Sequence, residues 1–172
     1  LLFPYGCDDK IFGLNPKKSK KYDIGFSGAL HNAVHYKGVD FSSKNLRFRA
    51  QQKISKYFSG RKFMNGSDNI WSRIRSTKKY AEVLQRSKIW LSTTGPMNDM
   101  SSRYFEVNGS SSISLTNSIP EEYKNIFKDN ENVLVFKDDC SNLLDTLANA
   151  LDNTKKLEEM AIYAREIVMK NH

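Results

Sequence analysis

From about residue 21 onward, short apolar segments alternate with stretches of helical periodicity. Tyr22–Ser27 (YDIGFS) reads as a strand stopped by Gly28. A helix is expected over about 44–58, with Leu46, Ala50, Ile54, Tyr57 and Phe58 on one face. Residues 61–64 form a second short strand. A helix over 77–87 then carries Tyr80, Ala81 and Leu84 inward, and 89–92 (IWLS) is a third strand bounded by Gly95-Pro96. The alternation continues with a short helix over 101–108 and a strand over 113–116. Pro120 suits a first helical position, followed by Glu121 and Glu122 in the turn where the helix dipole favours acids. A fifth strand covers 132–136. Leu143, Leu144, Leu147, Ala148 and Leu151 mark one amphipathic helix, and Leu157, Met160, Ala161, Ala164 and Val168 mark another.

Five strand–helix alternations predict an α/β fold: a doubly wound, Rossmann-like parallel sheet with helices on both faces. Residues 1–20 contain Pro4, Gly6, Gly13, Pro16 and the basic run 17–21, and read as an irregular linker into a domain spanning 21–172. In such a sheet, ligands bind beyond the carboxyl ends of the strands, where strand order reverses. The loops over 28–37, 93–103 and 116–120 are therefore where a site is sought.

Composition narrows the class only slightly. At 172 residues the chain is one domain's worth, and its 39% hydrophobic and 27% charged residues are ordinary for a globular protein. No apolar run approaches the roughly 20 residues of a membrane span. The start, Leu1-Leu2-Phe3-Pro4, lacks the features of a signal peptide and reads as the interior of a longer protein. Cys7 and Cys140 form no C-x-x-C pair and suit a reducing, cytoplasmic setting.

Charge is more informative than its total of +8. Residues 1–90 carry 19 Lys/Arg and 6 Asp/Glu, a net of +13, while residues 91–172 carry 8 and 13, a net of −5. That asymmetry fits an anionic partner, whether nucleotide phosphate, a membrane surface contacted peripherally, or nucleic acid. It equally fits a solvated basic face. Against nucleic acid, the basic residues show no helix-turn-helix or RNP-like pattern and no interleaved aromatics.

The densest candidate chemistry lies in Gly95–Ser112, GPMNDMSSRYFEVNGSSS. A serine at the helix start, Ser101 or Ser102, caps the first turn, and the same end can hold an anion such as a diphosphate. Arg103 can present its fork of donors to phosphate oxygens. Glu106, one turn later, projects to the same side and can accept from both hydroxyls of a ribose. On spacing alone, Arg103 and Glu106 also match a surface ion pair of little energetic consequence. Gly28 fits either a tight turn or close approach of the backbone to phosphate. His31 is a candidate beside those phosphates, at the end of the first strand. His31 and His35 share the i, i+4 spacing of a zinc pair. Asn32-Ala33 nevertheless lacks the Glu of H-E-x-x-H, and no third ligand is near, so no metal site is expected. Trp71 and Trp90 read as core or interface aromatics.

The string Ser102-Arg103-Tyr104-Phe105-Glu106, followed by small residues and the strand SISLT, resembles the R-x-F-E segment of GT-B glycosyltransferases. It is most similar to the group 1 subfamily that includes spore-coat maturation enzymes. The resemblance runs through YGCDDKIF, YDIGFSG, YAEVLQRSKIWLS, NVLVFKD and LLDTLANALDN to Asn171-His172. It implies a C-terminal, nucleotide-sugar-binding half of a GT-B fold, stopping before the last helix, with the acceptor-binding N-terminal domain elsewhere. By the same resemblance, Glu106 binds the nucleotide ribose, Arg103 lies near the donor phosphates, and Gly28 lets the backbone approach the diphosphate. Arg47 matches a recurring arginine of the following helix. Many relatives have a second glutamate eight residues before the ribose-binding one, contacting the donor sugar. Here that position is Asn98, beside Asp99, and either side chain can hydrogen-bond a sugar hydroxyl. No metal or other cofactor is implied: the nucleoside-diphosphate sugar is a substrate, and the acceptor is a glycan, lipid or protein. The catalytic base is expected in the other domain, so this chain alone is expected to be inactive. A sugar-nucleotide epimerase, a carbohydrate phosphorylase or a non-enzymatic basic module remain alternatives, because fold does not fix reaction.

Overall fold

The five expected strands assemble into one parallel sheet. In the computed structural model the described residues are 6–13, 19–28, 35–36, 39–40, 46–58, 63–66, 74, 76–95 and 98–171. The sheet strands are β1 (Tyr22–Ser27), β4 (Phe63–Gly66), β5 (Ser87–Leu91), β6 (Ile113–Thr116) and β7 (Val133–Val135). Their order is β4-β1-β5-β6-β7, and every pairing is parallel. A second, two-stranded antiparallel sheet, β2 (His35–Tyr36) with β3 (Val39–Asp40), was not anticipated. Its strands are two residues long, too short to show a period. His35 thus lies in a strand, not on a helix as a zinc pair at i, i+4 would need.

Helices cover both faces, as a parallel sheet requires. α2 (Leu46–Tyr57), α5 (Leu143–Asp152) and the first turns of α6 (Thr154–Asn171) bury Ala50, Ile54, Leu147, Leu151 and Ala164 with Ile24, Phe26, Ile89 and Leu115. α3 (Thr77–Gln85) and α4 (Arg103–Gly109) cover the other face, with Ala81, Leu84 and Val107 around Trp90. β1 ends in four consecutive buried residues and β6 is buried throughout, so both read as continuous apolar or small runs without alternation. Trp90 lies flat on β1: a Cβ on Gly25 would stand 2.2 Å from its ring. Only glycine fits opposite that indole.

Two sequence expectations need correction. The linker 1–20 is not wholly irregular: Asp9–Phe12 forms a one-turn helix, α1, whose N-cap Asp8 accepts from the Lys10 N–H at 2.9 Å. Phe12 anchors it in the core, 5% exposed, against the Trp90 cluster. Tyr57, placed with the apolar face of α2, is instead 61% exposed, with the Lys56 ammonium 5.4 Å above its ring. Pro120 does precede a helical turn, a short 3₁₀ segment over Glu121–Tyr123.

Lys20 fastens the incoming segment. Its Nζ donates to the carbonyl oxygens of Gln85, at the end of α3, and of Ser111, just past α4. Burial pushes its pKa down from 10.5 to about 8, with Glu158 opposing. A neutral amine still has two N–H groups for two carbonyls, so deprotonation removes the desolvation cost without losing a donor. The folded pKa lies below the unfolded one, so between pH 8 and 10.5 the unfolded chain binds more protons and stability rises with pH. Relative to Lys20→Met, the native chain is therefore expected to gain roughly 1–3 kcal/mol across that window. Urea denaturation of both proteins at the two ends of the window measures it, and a constant gap between them would refute the buried charge.

Candidate functional site

Strand order reverses between β1, which lies beside β4, and β5, which continues outward to β6 and β7. The crevice beyond the carboxyl ends of these two strands is where such a sheet receives a ligand. Gly28, immediately after β1, has φ +132°, a conformation that a side chain adopts only with strain. Directly over it lies the guanidinium of Arg103, from the first turn of α4. Its Nη1 and Nη2 are 3.2 and 3.3 Å from where a Cβ on residue 28 would stand. The glycine thus serves both the turn and the space for that guanidinium.

Arg47, in the first turn of α2, arrives from the opposite face of the sheet and donates through Nε to Thr93 Oγ1 at 3.0 Å, just past β5. Burial, and then the neighbouring charge of Arg103, lower its pKa, while Tyr104 and Asp99 oppose the shift. Two cations within electrostatic reach of each other therefore converge on the crevice. Among the described residues, no carboxylate forms an ion pair with Arg103. Beneath them Tyr104 is fully buried and hydrogen-bonded to Thr116 Oγ1, and burial drives its phenol far above the usual range.

Ser102 immediately precedes Arg103, and Glu106 follows one turn later on the same side. Ser102 does not cap α4 as expected. Its backbone is already helical (φ −52°, ψ −21°), and its Oγ donates to Glu106 Oε1 at 3.0 Å instead. Capping needs an extended backbone at that residue, which the chain here does not adopt. Nor do Arg103 and Glu106 form the surface ion pair that their spacing allowed: one side chain turns to Gly28, the other to Ser102. Glu106 is half-buried, with one oxygen engaged by a neutral hydroxyl that a ligand can replace.

The loop after β5 folds back on itself. Gly95 N–H donates to the Asp99 carbonyl at 2.9 Å, and the Asp99 carboxylate packs so close that a Cβ on Gly95 would be 2.3 Å from it. Asn98 takes a left-handed backbone (φ +57°) and its Oδ1 accepts from Ser118 Oγ at 2.6 Å. Asn117 braces the neighbouring strand ends, accepting from the Thr94 N–H at 3.0 Å and donating to Asp138 Oδ1 at 2.9 Å. The structure thus brings Gly28, Arg47 and Arg103 together, with Asp99 within charge reach, Ser102 and Glu106 alongside, and Asn98 held at the outer edge. His31 and Trp71 lie outside the described residues. Thr93, Thr94, Asn117 and Tyr80 were not singled out as site residues, although the loops that hold the first three were flagged. A cavity of about 420 Å³ opens elsewhere, at the β7 edge between α5 and α6, and holds none of these groups. Among the described residues, no three His, Cys, Asp or Glu side chains are placed to hold a metal ion. No helix among them is long and apolar enough to cross a membrane.

A parallel sheet of this order, helices on both faces and a crevice lined by arginines at its switch point define a Rossmann-like, doubly wound domain. The sequence places it further: residues 47–172 match the family described as glycosyl transferase-like, and the chain belongs to that family. Among solved structures it is similar to the C-terminal domain of LpcC, a glycosyl transferase group 1 family protein from Francisella tularensis. The TM-score is 0.59 at 13% identity, covering 96% of this chain and 98% of that one. It is also similar to the pneumococcal O-GlcNAc transferase GtfA, in complex with UDP and GlcNAc, with a TM-score of 0.50 at 12% identity over 88% of this chain. AviGT4, a glycosyltransferase involved in avilamycin A biosynthesis, gives a TM-score of 0.50 at 11% identity over 97% of this chain. The chain spans 33% of GtfA and 54% of AviGT4. No curated protein matches this sequence.

Proposed function

We propose that this chain binds a nucleoside-diphosphate sugar and presents the sugar for transfer to an acceptor held by another domain. The observation that carries the reading is the guanidinium of Arg103 seated on Gly28 at the switch point, with the Arg47 charge close by. Two arginines at that place suit a diphosphate, whose negative charge grows as the sugar–phosphate bond breaks. Fixed cations stabilise that developing charge without a metal. Glu106, offered to the ribose, sets the nucleoside end, while Asp99 and Asn98 lie where the sugar would emerge. GtfA's complex with UDP and GlcNAc supports a donor of this class. The catalytic base and the glycan, lipid or protein acceptor site belong to the remainder of the enzyme, so this chain alone binds but does not transfer.

A titration panel of UDP, GDP, ADP, CMP and inorganic phosphate tests this by calorimetry or NMR. One nucleoside diphosphate is expected to bind selectively, with chemical-shift changes centred on Gly28, Arg103 and Glu106. Steeply salt-dependent binding of DNA, with no response to any nucleotide, would overturn the reading.

A further inference from the structure

Behind Arg103 stands a tyrosine that the fold alone does not explain. Tyr80, from α3, is wedged edge-on between Phe12 and Trp90, with ring centroids 6.2 and 5.8 Å away. Those contacts fix the direction of its C–O bond. The ring keeps some exposure, but the hydroxyl oxygen has none and makes no aligned hydrogen bond among the described residues. A buried hydroxyl without a partner is unusual, since phenylalanine would pack as well without stranding a polar atom. Burial dominates an upward shift of the phenol's pKa to about 12. The other groups acting on it are those of the site: Arg103 lowers the pKa by its charge and as a hydrogen-bonding neighbour, while Glu106 raises it. Arg103 thus lies within hydrogen-bonding range of the oxygen, but its N–H groups are not directed at it well enough to make a formed bond.

We infer that Tyr80 is a positioning residue of the donor site, its hydroxyl serving as the fixed acceptor onto which Arg103 locks when the guanidinium turns to a bound diphosphate. This rests on the function proposed above. A guanidinium has five N–H donors in a rigid fork, enough to grip a phosphate bidentately and still give one hydrogen bond to a phenol behind it. The charges of the phosphate-binding and ribose-binding side chains thus both act on one hydroxyl. The mechanical line is continuous: Gly25 admits Trp90, Trp90 and Phe12 hold Tyr80, and Tyr80 backs the arginine that lies on Gly28.

Tyr80→Phe, Arg103→Ala and the double variant test it, using the nucleoside diphosphate selected by the panel and inorganic pyrophosphate. Tyr80→Phe is expected to weaken both ligands about 5–10-fold. Its thermal midpoint should be unchanged or raised, because a stranded polar atom has been removed. In the Arg103→Ala background the same substitution is expected to do nothing further. A merely structural tyrosine would lower the midpoint and leave affinity alone. Unchanged affinity in Tyr80→Phe, or an equal loss with and without Arg103, overturns the inference while leaving the proposed function standing. Failure of the native chain to bind any nucleotide or pyrophosphate overturns both.

Discussion

Arg103→Ala is expected to weaken nucleoside-diphosphate binding about 100-fold, the scale of a lost bidentate, charge-assisted pair at a partly desolvated anion. The expectation follows from placement. The guanidinium sits on the one residue of the β1 turn that has no side chain, so a phosphate approaching the backbone at Gly28 meets it at once. Arg47 cannot substitute: its Nε is engaged by Thr93, and its charge is already disfavoured by burial. Removing Arg103 relieves the repulsion that lowers the Arg47 pKa, so the variant is not expected to lose stability. Arg103→Lys should recover only part of the loss, because an ammonium offers a point charge where the site presents a planar fork. Calorimetric titration with the native chain's preferred nucleotide, alongside thermal unfolding, separates affinity from folding. Affinity within threefold of native in Arg103→Ala would remove the central group from the proposed site.

The parts of this molecule that were legible in its sequence are those whose environment is set locally. Tyr22–Ser27 and Ile113–Thr116 emerged with the limits they have in the structure, because each is a short apolar or small-residue run closed by a glycine or a polar turn. The expected strand over 61–64 lies two residues early. Asn65 and Gly66 read as turn residues, yet they pair with Phe26 and Ser27 of β1 in the sheet. A four-residue helix such as α1 is too short to show a period, and it is held by Phe12 reaching a core assembled from distant segments. The site divides the same way. Arg103 and Glu106 are three residues apart on one turn of helix and stand out as a motif. Of their partners, Gly28 is legible as the residue that closes the first strand and Arg47 through the family resemblance, but Thr93 and Tyr80 are not, because they reach the site only through the parallel sheet. Ser102 shows the limit of local rules: a serine before a helix predicts a cap, but Glu106 takes its hydroxyl.

Glu106 offers the sharpest separation of ribose recognition from phosphate binding. Its carboxylate is half-buried, and its visible polar partner is the Ser102 hydroxyl, a weak competitor that a ribose diol replaces with two donors. Glu106→Ala is therefore expected to cost about 10–100-fold in affinity for the ribonucleoside diphosphate, the range for hydrogen bonds to a charged acceptor. Inorganic pyrophosphate, which has no ribose, should bind the variant as it binds the native chain. The 2′,3′-dideoxy form of the same nucleotide makes the comparison internal. The native chain should discriminate strongly against it, and Glu106→Ala should not, so the two affinity ratios converge. Glu106→Gln keeps one acceptor and should fall between. Were the carboxylate to serve the fold and not the ligand, both nucleotides would weaken together and the thermal midpoint would fall with them. Loss confined to the ribo form ties Glu106 to the sugar hydroxyls and, with Arg103 on Gly28, orients the nucleotide with its diphosphate over the switch point and its nucleoside along α4.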